Sequence, residues 1–315
     1  MAKNIEEIRS FIEEMGIPGR DPWALPSSPL TFPDGANYRI EIAGVERPST
    51  LKAMIDEAKK RKIVVHRAIA TVGGSTYCTF DELGEMAAMA KFEGIELVTT
   101  IGHRKGWDSG SREMATPEGC MQGFRLRGSD NISYWFEDLF RAIDAGIRGF
   151  LVFDEGILSI ASEMRRKNFI PSETIFKFSV FGGYCSAAGV KVLEKLGANT
   201  MNPSSDVSLP ILAGIRKASK MPLDVYIIVV DSFGGMFRAY EAPEIIRVSS
   251  PCYLKYEPGT SEGDIYKPWV SESWHEELIR QKVKLAAITR EIIDKRGIGL
   301  KMSGQGAPDL VLPVA

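Results

Sequence analysis

Eight strand-like stretches alternate with helix-like segments over residues 38–300, and this order predicts a single (β/α)8 or TIM barrel. The strand-like stretches are mostly continuous apolar runs, as a parallel sheet buried on both faces requires. A doubly wound open sheet is the alternative. It is disfavoured because the turn after the first strand, AGVERP at residues 43–48, lacks the glycine-rich phosphate fingerprint of dinucleotide-binding folds.

The first four strands are predicted from apolar runs that end at helix signals. The helix after the first strand ends in basic residues, which favour a helix C-terminus. Thr79 and Glu82 form a capping box that opens the next helix. The predicted strands are residues 38–43, 63–70, 96–101 and 149–153, with helices at 49–62, 79–93, 133–145 and from the end of the fourth strand to about 168.

The second half of the barrel follows the same order. Its strands are rich in aromatic and β-branched residues, and a long charged helix follows the last one. The predicted strands are residues 174–181, 199–203, 223–230 and 252–257, with helices at 186–196, 208–219, 243–248 and about 272–295.

Three parts of the chain are expected. Residues 1–37 form an acidic amphipathic helix and a connector, residues 38–300 form the barrel, and residues 301–315 form a C-terminal tail. The connector carries prolines at positions 18, 22, 26, 29 and 33, which exclude regular helix and central strand.

Composition excludes several classes of protein. The 39 Lys+Arg against 41 Asp+Glu give a formal net charge of -2, which argues against a nucleic-acid partner. The four cysteines, at positions 78, 120, 185 and 252, are dispersed, which argues against structural zinc and a disulfide framework. The chain lacks an apolar run long enough to span a bilayer and a signal peptide, so we expect a cytoplasmic protein without a membrane partner.

In a TIM barrel the chemistry lies at the carboxyl ends of the strands, and this rule selects candidate residues. Glu41 alternates with apolar residues in the first strand and is expected to face the interior. His66 and His103, two of only three histidines, fall near neighbouring strands, and Glu155 follows the fourth. We predict these four residues as catalytic acids and bases.

The alternative is that the same end of the barrel binds a divalent metal ion. Glu41, His66, His103 and Asp154 offer mixed nitrogen and oxygen ligands, although Asp154 also suits the N-cap of the next helix. Arg67 and Arg104 add positive charge there, which disfavours a metal and favours an anionic substrate.

Further substrate-binding candidates follow the later strands. They are Lys177, Asp231, Arg238 and Lys255. A buried lysine is either paired with a carboxylate such as Glu41 or Glu257, or able to form a Schiff base. The long segment at residues 102–132 is expected to be a lid or a subunit interface.

One stretch resembles the peptidase U32 family. Residues 193–227 combine the turn Leu196-Gly197-Ala198, a short strand, a Ser/Asp-led segment at 205–209 that opens a helix, and a further strand. The resemblance implies a barrel related to that family. The family also has a His-Gly pair after a strand and clustered cysteines, and this chain has neither at residues 230–235 nor elsewhere, so we expect no iron–sulfur cluster.

Together these observations predict a TIM-barrel enzyme, a hydrolase or lyase, that acts on a small anionic substrate by acid–base chemistry. One alternative is a metal-dependent C–C lyase or aldolase. Another is a non-catalytic subunit of an oligomer. A homo-oligomer is expected in either case, and the sequence carries no nucleotide-binding fingerprint.

Overall fold

The computed structural model describes residues 4–102 and 125–314. Eight parallel strands pair in chain order and close into a barrel. The predicted TIM barrel is therefore confirmed, and the open-sheet alternative is wrong. The strands are β1 (Tyr38–Ala43), β2 (Arg67–Ala70), β3 (Glu96–Thr100), β4 (Gly149–Val152), β5 (Ile175–Phe178), β6 (Thr200–Met201), β7 (Leu223–Ile228) and β8 (Cys252–Tyr256).

Helices cover the outside of the barrel, and the last one packs against the helix that follows β1. The capping box of Thr79 and Glu82 forms as predicted. Within the described ranges, each helix is too short or too polar to cross a membrane. The helices are α1 (Ile5–Glu14), α2 (Pro48–Arg61), α3 (Phe80–Phe92), α4 (Gly128–Asp144), α5 (Glu155–Arg166), α6 (Ala187–Leu196), α7 (Leu209–Ala218), α8 (Ala242–Ser249), α9 (Glu262–Ile265) and α10 (Glu272–Arg296).

The two faces of β1 separate an apolar layer from a charged interior. Ile40 and Ile42 belong to the large core between the sheet and the helices, whereas Glu41 reaches Lys177 across the barrel. A smaller apolar cluster fills part of the interior and consists of Ala43, Ile69, Val98, Leu151 and Ile175. The interior is therefore packed with side chains, as a barrel of eight strands requires.

The C-terminal tail closes the amino end of the barrel, which we call the foot. Buried Arg39 donates to the Ser303 hydroxyl at 2.9 Å and forms an ion pair with Asp309. The N–H of Val311 donates to the Glu96 carboxylate at 3.1 Å, and the Val311 side chain packs against the interior apolar cluster. The tail is thus part of the barrel's core.

His66 lies at the foot, which corrects the expectation that it stands at the carboxyl end. Strand β2 begins at Arg67 because its pairing with β1 begins there. The ring of His66 is fully buried: Nδ1 accepts the N–H of Ile40, and Nε2 bonds the Ser303 carbonyl, both at 3.0 Å. Burial lowers the pKa of His66 to about 4. The neutral ring therefore joins β1 to the tail.

Removing residues 301–315 should destabilise the barrel. The deletion removes Asp309, which pairs with Arg39, and the Val311 N–H, one of the groups that bind the Glu96 carboxylate, and breaking a buried ion pair costs about 3–5 kcal/mol. We expect urea unfolding to show a loss in that range. Deleting residues 1–15 is the matched control, because α1 buries no residue, and it should cost less than about 1 kcal/mol. Equal losses would contradict the role of the tail.

His66 should make the protein less stable as the pH falls. The unfolded chain binds a proton at an ordinary pKa of 6.5, whereas the folded ring binds it at about 4. Its contribution to stability is therefore complete above pH 6.5 and is lost between pH 6.5 and 4. Urea unfolding at pH 7, 6, 5 and 4 should show a shallower decline for His66→Gln than for the unsubstituted chain. Parallel declines would contradict a buried neutral His66.

Candidate active site

Four ionised side chains from different strands meet inside the barrel, and we call them the central ion cluster: Glu41, Arg67, Lys177 and Asp224. Arg67 Nη1 lies 3.1 Å from Glu41 Oε2 and 2.9 Å from Asp224 Oδ1. Lys177 Nζ lies 3.0 Å from the same Glu41 oxygen and 2.5 Å from Asp224 Oδ2. All four are fully buried or nearly so. Two cations and two anions thus neutralise one another.

This pairing sets the protonation of Glu41. Burial alone would raise its pKa, but Lys177 and Arg67 outweigh burial and lower the pKa of Glu41 to about 2. Burial lowers the pKa of Lys177, and Asp224 and Glu41 oppose that change. Glu41 is therefore a carboxylate held between cations and is a weak proton acceptor.

Arg67 is fully engaged in the interior. Besides Glu41 and Asp224, its Nε bonds the Glu96 carboxylate, and its guanidinium stacks 3.7 Å from the centre of the Tyr253 ring. Its expected role as a substrate clamp would require these contacts to break. Arg67 instead joins the foot to the central ion cluster.

A second polar group, which we call the upper cluster, lies at the end of the barrel opposite the foot and consists of Asn202, Tyr226, Lys255 and Glu257. The Tyr226 hydroxyl donates to Glu257 Oε2 at 2.9 Å. Lys255 Nζ lies 3.4 Å from that oxygen, 3.0 Å from Asn202 Oδ1 and 4.5 Å from the centre of the Tyr226 ring. A carboxylate, a phenol and an ammonium thus converge around one oxygen atom.

Strand register explains why these residues meet. Lys255 pairs with Glu41 on one side and with Tyr226 on the other, and Glu257 follows two residues later, one position beyond the end of β8. An apolar cluster packs around Tyr226 and includes Val180, Val230, Ile265, Tyr266, Phe181 and Phe233. Tyr226, Lys255 and Glu257 are each at most 3% exposed. Their charges therefore act in a medium of low dielectric constant.

The loop after β2 is shaped around another carboxylate. The backbone N–H groups of residues 71–74 donate to Glu46 at 2.6, 3.2, 2.9 and 3.3 Å, and the Thr71 hydroxyl adds a bond at 2.9 Å. Glu46 is only 4% exposed. Such a nest of N–H groups stabilises an anion without a cation. It holds the carboxyl ends of β1 and β2 in a defined conformation.

A further buried lysine stands at this end of β1. Lys282 of α10 donates to the Ala43 carbonyl and to the Tyr266 hydroxyl. Burial lowers its pKa to about 8, although Glu257, Glu46 and Glu262 partly oppose this. Lys282 lies on a helix, far along the chain from the strand that it contacts. The strand pattern in the sequence therefore did not indicate it as a buried residue.

The residues after β4 are bound to their own surroundings. Asp154 Oδ1 accepts the N–H of Ile157 at 3.0 Å as the N-cap of α5, and Oδ2 accepts the N–H of Leu126 at 3.1 Å. Glu155 pairs with Arg125 at 2.9 Å. Asp154 is thus a helix cap, the alternative that its sequence position left open, and Glu155 is neutralised by a neighbouring cation.

Of the remaining predicted residues, the structure describes Asp231 and Arg238, and both lie away from the contacts of the two clusters. Asp231 is exposed at the turn after β7. Arg238 pairs with Glu241 at 2.7 Å and donates to the Ser205 carbonyl at 3.2 Å. His103 and Arg104, with most of the segment 102–132, lie outside the described residues.

The described residues do not fit a divalent metal ion. They contain no group of three or more His, Cys, Asp and Glu side chains with suitable placement. Of the predicted ligands, Glu41 is held by two cations, His66 is at the foot, and Asp154 caps α5. Each of these side chains is already engaged by another group of the protein, and it is therefore not available to ligate a metal ion.

Comparisons with known proteins find similar solved structures at low sequence identity. No protein-family model and no curated protein matches the chain. Among solved structures, the YdjI aldolase from Escherichia coli K12 is similar at 14% identity with a TM-score of 0.48, covering 84% of this chain and 93% of that one. The U32 peptidase Mk0906 is similar at 12% identity with a TM-score of 0.44, covering 76% and 98%.

A third similar structure is 2,3-dimethylmalate lyase, at 12% identity with a TM-score of 0.44, covering 84% of this chain and 85% of that one. The neighbours thus include aldolase and lyase barrels, and a member of the family that residues 193–227 resemble. At these identities the chemistry has to come from the residues of this barrel.

Proposed function

We propose that the chain is a TIM-barrel enzyme that acts on a small anionic substrate by acid–base chemistry in the upper cluster. The observation that carries the proposal is the convergence of Tyr226, Lys255 and Glu257 around one carboxylate oxygen at the end opposite the foot. Catalytic groups of TIM barrels come from this end of the strands.

Each group has a distinct chemical role in this proposal. Glu257 accepts a proton from a carbon next to a carbonyl group of the substrate. Tyr226 donates a hydrogen bond to the oxygen on which negative charge develops, which frees Glu257 Oε2 from its present bond to that hydroxyl. Lys255 offsets the charge of the substrate. Its partner Asn202 is neutral, so Lys255 exchanges this hydrogen bond for a bond to the substrate more readily than it would leave a second carboxylate.

This assignment replaces two residues predicted from the sequence and keeps others. Glu41 and His66 are better placed to support the barrel, since one is held by Lys177 and Arg67 and the other by Ser303. Lys255 retains the substrate-binding role expected of it. Glu155 remains a candidate catalytic residue at the end of β4, where it forms an ion pair with Arg125.

Proton abstraction can be tested without knowing the natural substrate. Small 2-oxo acids with an adjacent C–H, such as pyruvate, 2-oxobutyrate and 2-oxoglutarate, would be incubated with the protein in D2O, and loss of the C–H signal followed by proton NMR. We expect enzyme-dependent exchange, reduced at least about 100-fold by Glu257→Gln, because one general base supplies about 10²–10⁴-fold.

Tyr226→Phe should also slow the exchange, since it removes one oxyanion donor while keeping the ring. The matched control is Glu291→Gln, an exposed carboxylate on α10 that should leave the rate unchanged. Circular dichroism would establish that each variant is folded. The proposal is wrong if the panel shows no exchange above the protein-free rate, or if Glu257→Gln keeps the full rate.

A lyase that works through a Schiff base is the second candidate, and the contrast between two lysines favours it. Lys177 is held by the carboxylates of Glu41 and Asp224, which stabilise its charged form. Lys255 has an amide oxygen at 3.0 Å and one carboxylate at 3.4 Å. Lys255 also lies at the end of the barrel where catalytic groups of TIM barrels gather, so we place the Schiff base there, with Tyr226 beside it as a proton donor for the loss of water.

Borohydride trapping distinguishes this candidate from simple acid–base catalysis. The amine would condense with the carbonyl of the 2-oxo acid and release water, and borohydride would then reduce the C=N bond to a stable amine. We expect peptide mass spectrometry to find the added mass on Lys255 and to lose it in Lys255→Met. Modification of Lys177 instead, or none at all while deuterium exchange continues, would remove the Schiff-base candidate.

A further inference from the structure

A cavity of about 580 Å3 lies on the side of the barrel near the foot, away from the upper cluster. Its walls are the proline-rich connector at residues 26–30, the C-terminal end of α7, Glu194 of α6 and Val248 of α8. The C-terminal end of α7 leads into the start of β7, which places the cavity at the amino end of the strands. Its size is in the range of small-molecule sites, about 300–1,000 Å3.

Hydrogen bonds hold the connector wall in place. The N–H of Ser28 donates to the Arg247 carbonyl at 2.7 Å, and the Ser28 hydroxyl bonds the Ser250 carbonyl. The Ser250 hydroxyl donates to the Leu30 carbonyl at 2.8 Å, and Arg247 donates to the Leu25 carbonyl at 2.7 Å. The cavity is therefore formed in advance, and a ligand would not have to order its walls.

The charged groups of the lining are mostly positive. Arg216, Lys217 and Lys220 provide three cations against the single carboxylate of Glu194. Arg216 is 5% exposed, whereas both lysines are exposed at the mouth. The rest of the wall is largely apolar, from Pro26, Pro29, Leu30, Ala213 and Val248.

Arg216 is a buried cation whose partners are all neutral. Its guanidinium donates to four backbone carbonyls at 2.8–3.1 Å, those of Ser219, Met221, Ser249 and Pro251. Over residues 4–102 and 125–314, its hydrogen bonds go to these carbonyls rather than to a carboxylate. Burial lowers the pKa of Arg216 to about 10, which reflects this shortage of negative charge.

We propose that the cavity binds a small organic anion with an apolar body, of the medium-chain carboxylate type. The apolar body would lie against the prolines, Leu30 and Val248, and the carboxylate would lie beside Lys217 and Lys220 within the field of Arg216. The site is separate from the upper cluster and does not depend on the proposed reaction.

Isothermal titration of the full chain with octanoate tests the proposal. Octanol, which has the same apolar body without the charge, should bind at least about tenfold more weakly than octanoate. The double substitution Lys217→Glu with Lys220→Glu should weaken octanoate binding by at least about tenfold, because it reverses both exposed cations. Both lysines are exposed, so the variant should fold.

Two further variants make the result specific to this cavity. Ser27→Trp, at an exposed position of the connector wall, should fill the space and abolish binding. Lys195→Glu reverses an exposed charge of α6 that does not line the cavity, and it should leave the affinity unchanged. Absence of octanoate binding, equal binding of octanol, or equal weakening by Lys195→Glu would each overturn the proposal.

Discussion

The mutual pairing of Glu41, Asp224, Arg67 and Lys177 is the interaction on which the rest of the barrel depends. An ionised group in a barrel interior is costly unless its charge is met by an opposite one in good geometry. These four residues come from β1, β7, β2 and β5, so their pairing holds strands on different sides of the barrel in one register. A shift of one residue in any of these strands would turn its charge into the apolar outer layer.

The cluster also divides the interior into two regions with different roles. Below it, Arg39, His66 and Glu96 are joined to the C-terminal tail, and their polar atoms serve the closure of the foot. On the other side lie Lys255 and Glu257, and Lys255 has the neutral amide of Asn202 among its partners. This is the end of the barrel at which we propose that the chemistry takes place.

Local sequence patterns predicted the fold and the inward residues because they depend on neighbours along the chain. The alternation of Glu41 with Ile40 and Ile42 indicated an interior carboxylate, and the position of Lys255 indicated an interior amine. The partners could not be predicted in the same way. Glu41 and Lys177 are 136 positions apart, and their contact depends on how the barrel closes.

His66 is a residue whose position the local sequence pattern did not predict. An apolar run reveals that a strand is present but not which residue begins its hydrogen-bonded part, and that one boundary decides whether His66 lies at the foot or at the other end. Tyr226 was detectable in principle, since Asp224 and Tyr226 are the polar residues of one face in the run LDVYIIVV. Its bond to Glu257 required the register between β7 and β8.

The tail that seals the foot has a consequence for the order of assembly during synthesis. Arg39 and the neighbouring backbone of Ile40 belong to the first strand, yet their bonds lead to Ser303, Asp309 and the ring of His66, which itself bonds Ser303. The ribosome releases the first strand long before residues 301–314 exist. Throughout elongation the foot of the nascent barrel therefore lacks these bonds, and it is closed only after the last strand and the tail have left the exit tunnel.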